Sequence, residues 1–281
     1  MNTFFLDRLN SEPHALAFAG QSTPWPVALA DQSANPALDE ALHTHAAAAQ
    51  ALLYPVSAEL LATTGRPVDL FGFEPNPARL GAAAAASASV PGIALTQLGA
   101  LLDAAALGYN PAQAKPVVVL GHSQGVLAVH MVQAICEAGS IDAAAAKIDE
   151  ILAIATLIGV AGTRQARQLG LAARHGEATP MLSVKDITRA QVDALIERVD
   201  GARGPIAVAV TNSATHYVLS GYPEDLAAFG VEVAKEHKRQ AKLREEKVRG
   251  GRVFGPTLEY LDVTLPFHSP LMADAVSQAV A

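Results

Sequence analysis

Cysteine is nearly absent. The 281-residue chain has one, Cys136, so no internal disulfide can form and a reducing compartment, the cytoplasm, is expected. Basic residues are in deficit: 20 Lys and Arg stand against 27 Asp and Glu, and the net charge of −7 argues against a nucleic-acid binder. The opening "MNTFFLDRLNSEPHALAF" lacks a basic stretch followed by a long apolar one, so no secretory signal is read there. The longest apolar run, "ILAIATLIGVAG" at 151–162, is too short to span a bilayer, and no membrane partner is expected. Neither Gly-x-Gly-x-x-Gly nor a P-loop pattern occurs, which removes the usual phosphate cradles. What the chain does have is apolar bulk. At 51% hydrophobic and 17% charged it can bury a full core, as one large domain or one domain carrying an insertion.

The pattern of segments predicts an α/β fold. "HALAFAG" (14–20) reads as a short buried strand stopping at Gly20, and 36–64 as helix ending at Gly65. "RPVDLFGFEPNPARLG" is a loop punctuated by Pro67, Pro75 and Pro77, and a second Ala-rich helix is expected over about 92–108. Val117–Leu120 reads as a strand buried on both faces, followed by a tight turn, a helix, and a second long helix over 141–168. Strand, turn and helix with further helices on either side is the layout of a parallel sheet. After about residue 178 the rhythm becomes βαββαβ: "MLSVKD", "TRAQVDALIERV", "IAVAVTN", "THYVLSGY", "EDLAAFGVEVAKEHKRQ", "LEYLDVTL". That order is ferredoxin-like. Residues 1–177 are therefore expected to form an α/β-hydrolase-like subdomain, 178–265 an inserted ferredoxin-like one, and 266–281 the return to the first.

The chemistry concentrates in "VVVLGHSQGVLAVH" (117–130), where Gly121-His122-Ser123-Gln124-Gly125 stands between a strand and an amphipathic helix. This is the nucleophile-elbow pattern. Two glycines let the backbone crowd into the turn, the serine is pushed out above the sheet, and the free N–H groups of the following helix stabilise negative charge. A merely structural turn is the competing reading.

A reactive serine needs a base. Among nine histidines, His43 and His45 are two apart on a helix, face different ways and make no metal site. His14, His130, His175, His216 and His237 carry no motif, and His122, beside the serine, points elsewhere. His268, in "LPFHSPLM" after the final strand, sits on a Pro-flanked turn that suits a fixed base. The stretch "KEHKRQAKLREEKVRGGR" (235–252) holds eight of the twenty Lys and Arg. It is either a solvated helix end or a docking surface for an acidic carrier or nucleotide phosphates.

"FAGQ" near the start, "GHSQG", and "LPFHSPLM" downstream, in that order, resemble the acyltransferases that load carrier proteins in fatty-acid and polyketide synthesis. Glutamine after the serine is similar to the acetyl-loading domains of fungal and actinobacterial type I fatty-acid synthases. The resemblance covers almost the whole chain. It implies Ser123 as nucleophile, His268 as general base, the backbone N–H groups of Gln21 and Gln124 as oxyanion hole, and Asn212 and His122 near the substrate. It also implies a ping-pong transfer of an acetyl or short acyl group from acyl-CoA to the phosphopantetheine thiol of an acyl carrier protein. No bound cofactor or metal is implied, and the partners expected are the carrier and the other domains of a synthase, with oligomerisation only through that larger assembly. Malonyl-loading relatives carry an arginine before a glycine on the second helix after the elbow. If Gly159 is that glycine, the arginine position is Ile158, and Arg164 is the alternative if the register slips.

In such relatives the histidine is oriented by a carbonyl well downstream, whereas this sequence stops thirteen residues after His268, so a piece of a larger polypeptide is expected. Three alternatives stay open: a malonyl transferase, a serine thioesterase or esterase, and a non-catalytic module. The esterase would want an acid, for which Asp262 is the nearest but poorly placed candidate.

Overall fold

A computed structural model describes residues 3–21, 23–64, 68–73, 85–171, 178–199, 201–246 and 254–280. Gly65, Pro67, Pro75, Pro77, His175 and the 247–252 end of the basic stretch lie outside the described residues. The chain folds as two compact units, Met1–Arg164 and Gln165–Ala281.

The first unit contains α1 (Thr3–Ser11), β1 (Ala15–Phe18), α2 (Trp25–Ser33), α3 (Pro36–Leu53), α4 (Ser57–Thr64), α5 (Ala86–Ala106), α6 (Pro111–Ala114), β2 (Val118–Gly121), α7 (Val126–Ala138) and most of α8 (Ile141–Gln168). β1 and β2 run parallel, with Ala15 opposite Val118 and Phe18 opposite Gly121. The helix expected over 36–64 is two helices. Asn35 caps the first by accepting from Ala37 N–H at 3.2 Å, and Pro36 occupies its first turn. Tyr54–Val56 then tightens to a 3-10 turn, because Pro55 has no N–H to give and disfavours helix at Tyr54.

α5 begins six residues before the sequence reading places it and runs through Pro91 and Gly92. Packing overrides propensity here. A Cβ on Gly92 would come within 2.6 Å of the Trp25 ring, so glycine lets that fully buried indole lie on the helix. α5 is the one described helix long and apolar enough to cross a membrane. Most of it is covered by protein, against α2, α3 and α7, which makes it the central core helix of this unit.

One expectation fails. Neither strand of the parallel pair is buried: β1 alternates exposed and half-buried residues, and Val117, Val118 and Leu120 are 68%, 43% and 57% exposed. A parallel strand is buried only when layers cover both faces and strands flank both edges. Among the described residues this sheet has two strands, and α7 packs on the pair.

The second unit contains β3 (Met181–Lys185), α9 (Arg189–Ile196), β4 (Ala207–Ser213), β5 (His216–Ser220), α10 (Pro223–Glu245), β6 (Thr257–Tyr260) and α11 (Ala273–Val280). The sheet order β4-β5-β3-β6, antiparallel throughout, realises the ferredoxin-like pattern. Thr188 and Gln191 form a reciprocal capping box that starts α9. One core joins Leu182, Val184 and Leu219 of the sheet to Val192 and Leu195 of α9 and Leu226, Phe229 and Val233 of α10. β6 stops at Tyr260, short of the expected 258–265. Leu261 still donates to Met181 O at 3.0 Å, but Val263 donates back to Leu261 O at 2.8 Å and turns the chain off the sheet.

Candidate active site

The turn after β2 is as tight as its glycines suggest. A Cβ on Gly121 would lie 2.4 Å from the Gly125 carbonyl carbon, and one on Gly125 would lie 2.3 Å from Phe18 O. His122 donates its N–H to Phe18 O and accepts from Gly125 N–H, both at 2.9 Å. These contacts force Ser123 into the left-handed region at φ 52°. That conformation costs a non-glycine residue about 1–3 kcal/mol and persists only where the surroundings over-determine it. Among the described residues four non-glycines have positive φ: Lys115, Ser123, Asp186 and His268. Both the candidate nucleophile and the candidate base are in that set.

Gly20 brings a second backbone to the serine. A Cβ there would meet His122 O at 2.6 Å and Ser123 Cβ at 3.2 Å, so only glycine lets the end of β1 pass this close. Gln21 follows directly. Thr23 donates to Gly20 O at 2.6 Å and Gln97 of α5 donates to Ala19 O at 2.7 Å, which fixes this segment. Gln124 lies in the 3-10 turn Ser123–Gly125 that opens α7, where N–H groups lack helical acceptors. The side chains of Gln21 and Gln124 hydrogen-bond each other. His122 is exposed beside the serine.

On α8, Gly159 meets the start of α5 so closely that a Cβ would lie 2.5 Å from Ala86 O. Ser87 N–H donates to Thr163 Oγ1 at 2.9 Å one turn further on. Ile158 is 37% exposed and joins Ile154 and Leu157 in an apolar stripe. Arg164 is committed elsewhere, donating through Nε and an Nη atom to the Glu59 carboxylate at 2.9–3.1 Å. Its guanidinium pKa is raised, first by that hydrogen bonding.

In the second unit His268 has φ 57° and is exposed. Its turn is held by Ser269 Oγ donating to Pro266 O at 2.6 Å and by Gln165 donating to Leu271 O at 2.8 Å. Asn212, on β4, donates to His216 Nε2 at 3.4 Å, and Ser183 Oγ lies 3.0 Å from the same nitrogen. Sequence reading gives His216 no role. The four-residue spacing from Asn212 across the hairpin is the only signal joining them. Asp262 lies in the bend after β6.

Among the described residues of the basic helix end, Lys235, Arg239 and Lys242 each face a carboxylate, Lys235 that of Glu232 at 2.6 Å. Arg239 and Arg198 both bind Glu236, and Lys242 is 3.8 Å from Glu246. Glu236 consequently has its pKa lowered to about 2, chiefly by the Arg239 hydrogen bonds. Cys136 is no rival nucleophile, because partial burial of its sulfur raises the thiol pKa and keeps it protonated at neutral pH. Among the described residues no group of three or more His, Cys, Asp or Glu could hold a metal ion.

Comparison with known proteins bears out the resemblance drawn from the motifs. Residues 180–260 match the family described as the fatty acid synthase central AT domain. The fatty acid synthase subunit beta of Schizosaccharomyces pombe is 26% identical over 209 residues, 67% of this chain and 10% of that protein. A fatty acid synthase beta subunit of Dothistroma septosporum is 27% identical over 179 residues, 58% of this chain and 9% of that protein. The chain thus spans about a tenth of the length of these relatives. In fold it is similar to the MCAT of Mycobacterium tuberculosis, with TM-score 0.56 and 20% identity over 96% of this chain and 68% of that one. A malonyl CoA-acyl carrier protein transacylase from Coxiella burnetii gives 0.55 and 19% over 95% and 67%. A malonyl-transacylase in complex with its type II PKS acyl-carrier protein gives 0.53 and 17% over 95% and 68%.

Proposed function

Since the chain is related to the acyltransferase domains of fatty acid synthases and shares the MCAT fold, we propose that it loads a short acyl group, acetyl in preference to malonyl, from acyl-CoA onto an acyl carrier protein. The observation that carries the reading is Ser123, held at φ 52° in an elbow where Gly20, Gly121 and Gly125 let the backbone crowd. A strained residue on a buttressed turn is stored where the chemistry needs it.

In the proposed reaction His268 accepts the Ser123 proton as Oγ attacks the thioester carbon. The N–H groups of Gln21 and Gln124 stabilise the oxyanion, a role worth roughly 3–4 kcal/mol per donor. The C–S bond breaks, CoA leaves as a thiol carrying the proton from His268, and an acyl-serine ester remains. The phosphopantetheine thiol of the carrier then gives its proton to His268 and attacks the ester, returning Ser123 to the free hydroxyl. Asn212 and His122 border the substrate in this reading, and no metal or bound cofactor takes part.

Selectivity for acetyl rests on α8. Gly159 has the close helix packing that a required glycine shows, which supports Ile158 at the arginine position of malonyl enzymes. The alternative, Arg164, is held by Glu59 and already has its carboxylate. An isoleucine cannot pair a malonyl carboxylate, and leaving that charge unpaired out of water costs several kcal/mol. The partners proposed are an acidic carrier and the remaining domains of a cytoplasmic synthase, without nucleic acid or membrane. Intact mass after mixing with acetyl-CoA and malonyl-CoA in competition tests the reading. Acetyl labelling dependent on Ser123 is the expected result. Equal malonyl labelling removes the acetyl assignment, and labelling that survives Ser123→Ala removes the nucleophile.

A further inference from the structure

Two residues of the core helix, Ser89 and Val90, tie in the two oxyanion-hole candidates by a route the motifs do not contain. Ser89 of α5, 1% exposed, donates its hydroxyl proton to Gln21 Oε1 at 3.1 Å. Gln21 Nε2 donates to Gln124 Oε1, and Gln124 Nε2 donates to Val90 O. The chain of hydrogen bonds therefore leaves α5 at Ser89 and returns to it at Val90, the next residue, with every donor pointing the same way round. Each amide uses its oxygen to accept from one neighbour and its nitrogen to donate to the other, so reversing Gln124 breaks two bonds and reversing Gln21 sets two amide oxygens against each other.

The anchor is rigid. Trp25 lies flat against Gly92, two residues beyond Val90. Gln97, at i+7 from Val90 and so on the same face of α5, holds Ala19 O on the near side of Gly20. Glutamines have long side chains that lose much freedom when ordered, so a mutually bonded pair beside a nucleophile needs a reason. Hydrogen bonds in series also polarise one another where solvent is scarce.

We propose that Ser89 and the side chains of Gln21 and Gln124 form a positioning ring that sets the separation and direction of the Gln21 and Gln124 backbone N–H groups at Ser123. This rests on the reading of Ser123 as nucleophile. Glutamine after the serine then serves geometry: its side chain is turned back to α5 and bonded to Gln21. In this proposal the three side chains act through the backbone donors they hold.

Two variants test the ring. Ser89→Ala removes its first donor, and Gln21→Glu at neutral pH places a carboxylate against Gln124 Oε1 in place of an amide donor. In both, the rate of CoA release on acylation is expected to fall, about 10-fold for Ser89→Ala and about 10²-fold for Gln21→Glu, with KM for acetyl-CoA nearly unchanged. The Gln21→Glu deficit relative to the parent is expected to shrink as pH falls from 8 towards 5, because the protonated acid donates the missing bond. Independently of activity, amide exchange of Gln21 and Gln124 is expected to speed up about tenfold in Ser89→Ala, at an unchanged exchange rate for the α7 interior. Parent-like acylation and exchange in Ser89→Ala overturn the ring. So does a Gln21→Glu deficit that is constant with pH, which also decides the matter if Ser89→Ala does not fold. Loss of the functional reading shows differently: labelling then survives Ser123→Ala, while the exchange measurement still reports on the ring.

Discussion

Two turns in this molecule hold a non-glycine residue in the left-handed region beside a functional motif, and they are built in opposite ways. The Ser123 turn is crowded by backbone from β1, by both elbow glycines and by the start of α7, so three neighbouring segments over-determine it. The His268 turn is exposed, and the bonds that close it include Ser269 Oγ to Pro266 O, Gln165 to Leu271 O and Met272 N–H to Ser269 O. A nucleophile has to be fixed against an oxyanion hole to a fraction of an ångström. A base needs only to reach a proton, and can sit on an exposed turn. The larger units differ in the same spirit. Gln165–Ala281 closes a four-stranded sheet on a core of its own, whereas Met1–Arg164 packs helices around α5 and leaves its strand pair open.

The largest effect is expected at the tighter turn. Ser123→Ala should abolish the acyl adduct in intact mass, since the left-handed turn keeps its shape without the hydroxyl. Gly20→Ala should damage the same turn without touching any side-chain chemistry. Its methyl has to displace His122 O from 2.6 Å, so a loss of acylation with KM little changed is expected, and parent-like kinetics would show the turn to be softer than its contacts imply.

Next in size is the exposed turn. His268→Ala should slow acylation about 10²–10⁴-fold, measured as CoA release, with CoA binding retained. Near-normal acylation would transfer the role of base to another group, His122 first.

Selectivity should then move with α8. Ile158→Arg should raise malonyl over acetyl labelling about tenfold or more in direct competition, because guanidinium supplies two parallel hydrogen bonds to a carboxylate. An unmoved ratio would place the acyl pocket elsewhere.

A smaller effect belongs to the second unit's own stability. Glu236 titrates at about 2 in the folded protein against 4.5 ordinarily, so its contribution is fully present above pH 4.5 and is lost as pH falls towards 2. Chemical denaturation should find Glu236→Gln less stable than the parent by about 1–2 kcal/mol at pH 7, a figure reduced for the solvent around Arg239 and Arg198, with the gap closing through that window. The smallest effect concerns docking. Lys235, Arg239 and Lys242 are already engaged by carboxylates, which among the described residues of the stretch leaves Lys238 and Arg244 to meet the proposed carrier. Neutralising those two should raise the KM for carrier about threefold at low salt and hardly at all at high salt, with acylation from CoA unchanged.

The sequence by itself determined the elbow, its serine and the ferredoxin-like order. Each is written in local terms: glycines flanking one serine between a β-branched run and an amphipathic helix, and a regular succession of strand and helix patterns. The turn that carries His268 was legible for the same reason, being bounded by Pro266 and Pro270. Tertiary structure alone decided what depends on neighbours distant in the chain. Gly20 is required by His122, Gly92 by Trp25, and Gly159 by Ala86, and none of those contacts leaves a local trace. The exposure of Val117–Leu120 contradicted a reading drawn from composition, because burial belongs to what covers a strand and not to the strand. Ser89 stood unnoticed in an Ala-rich stretch, since a hydroxyl on a core helix acquires meaning only when Gln21, 68 residues away, accepts its proton and in turn bonds Gln124, 35 residues away on the other side.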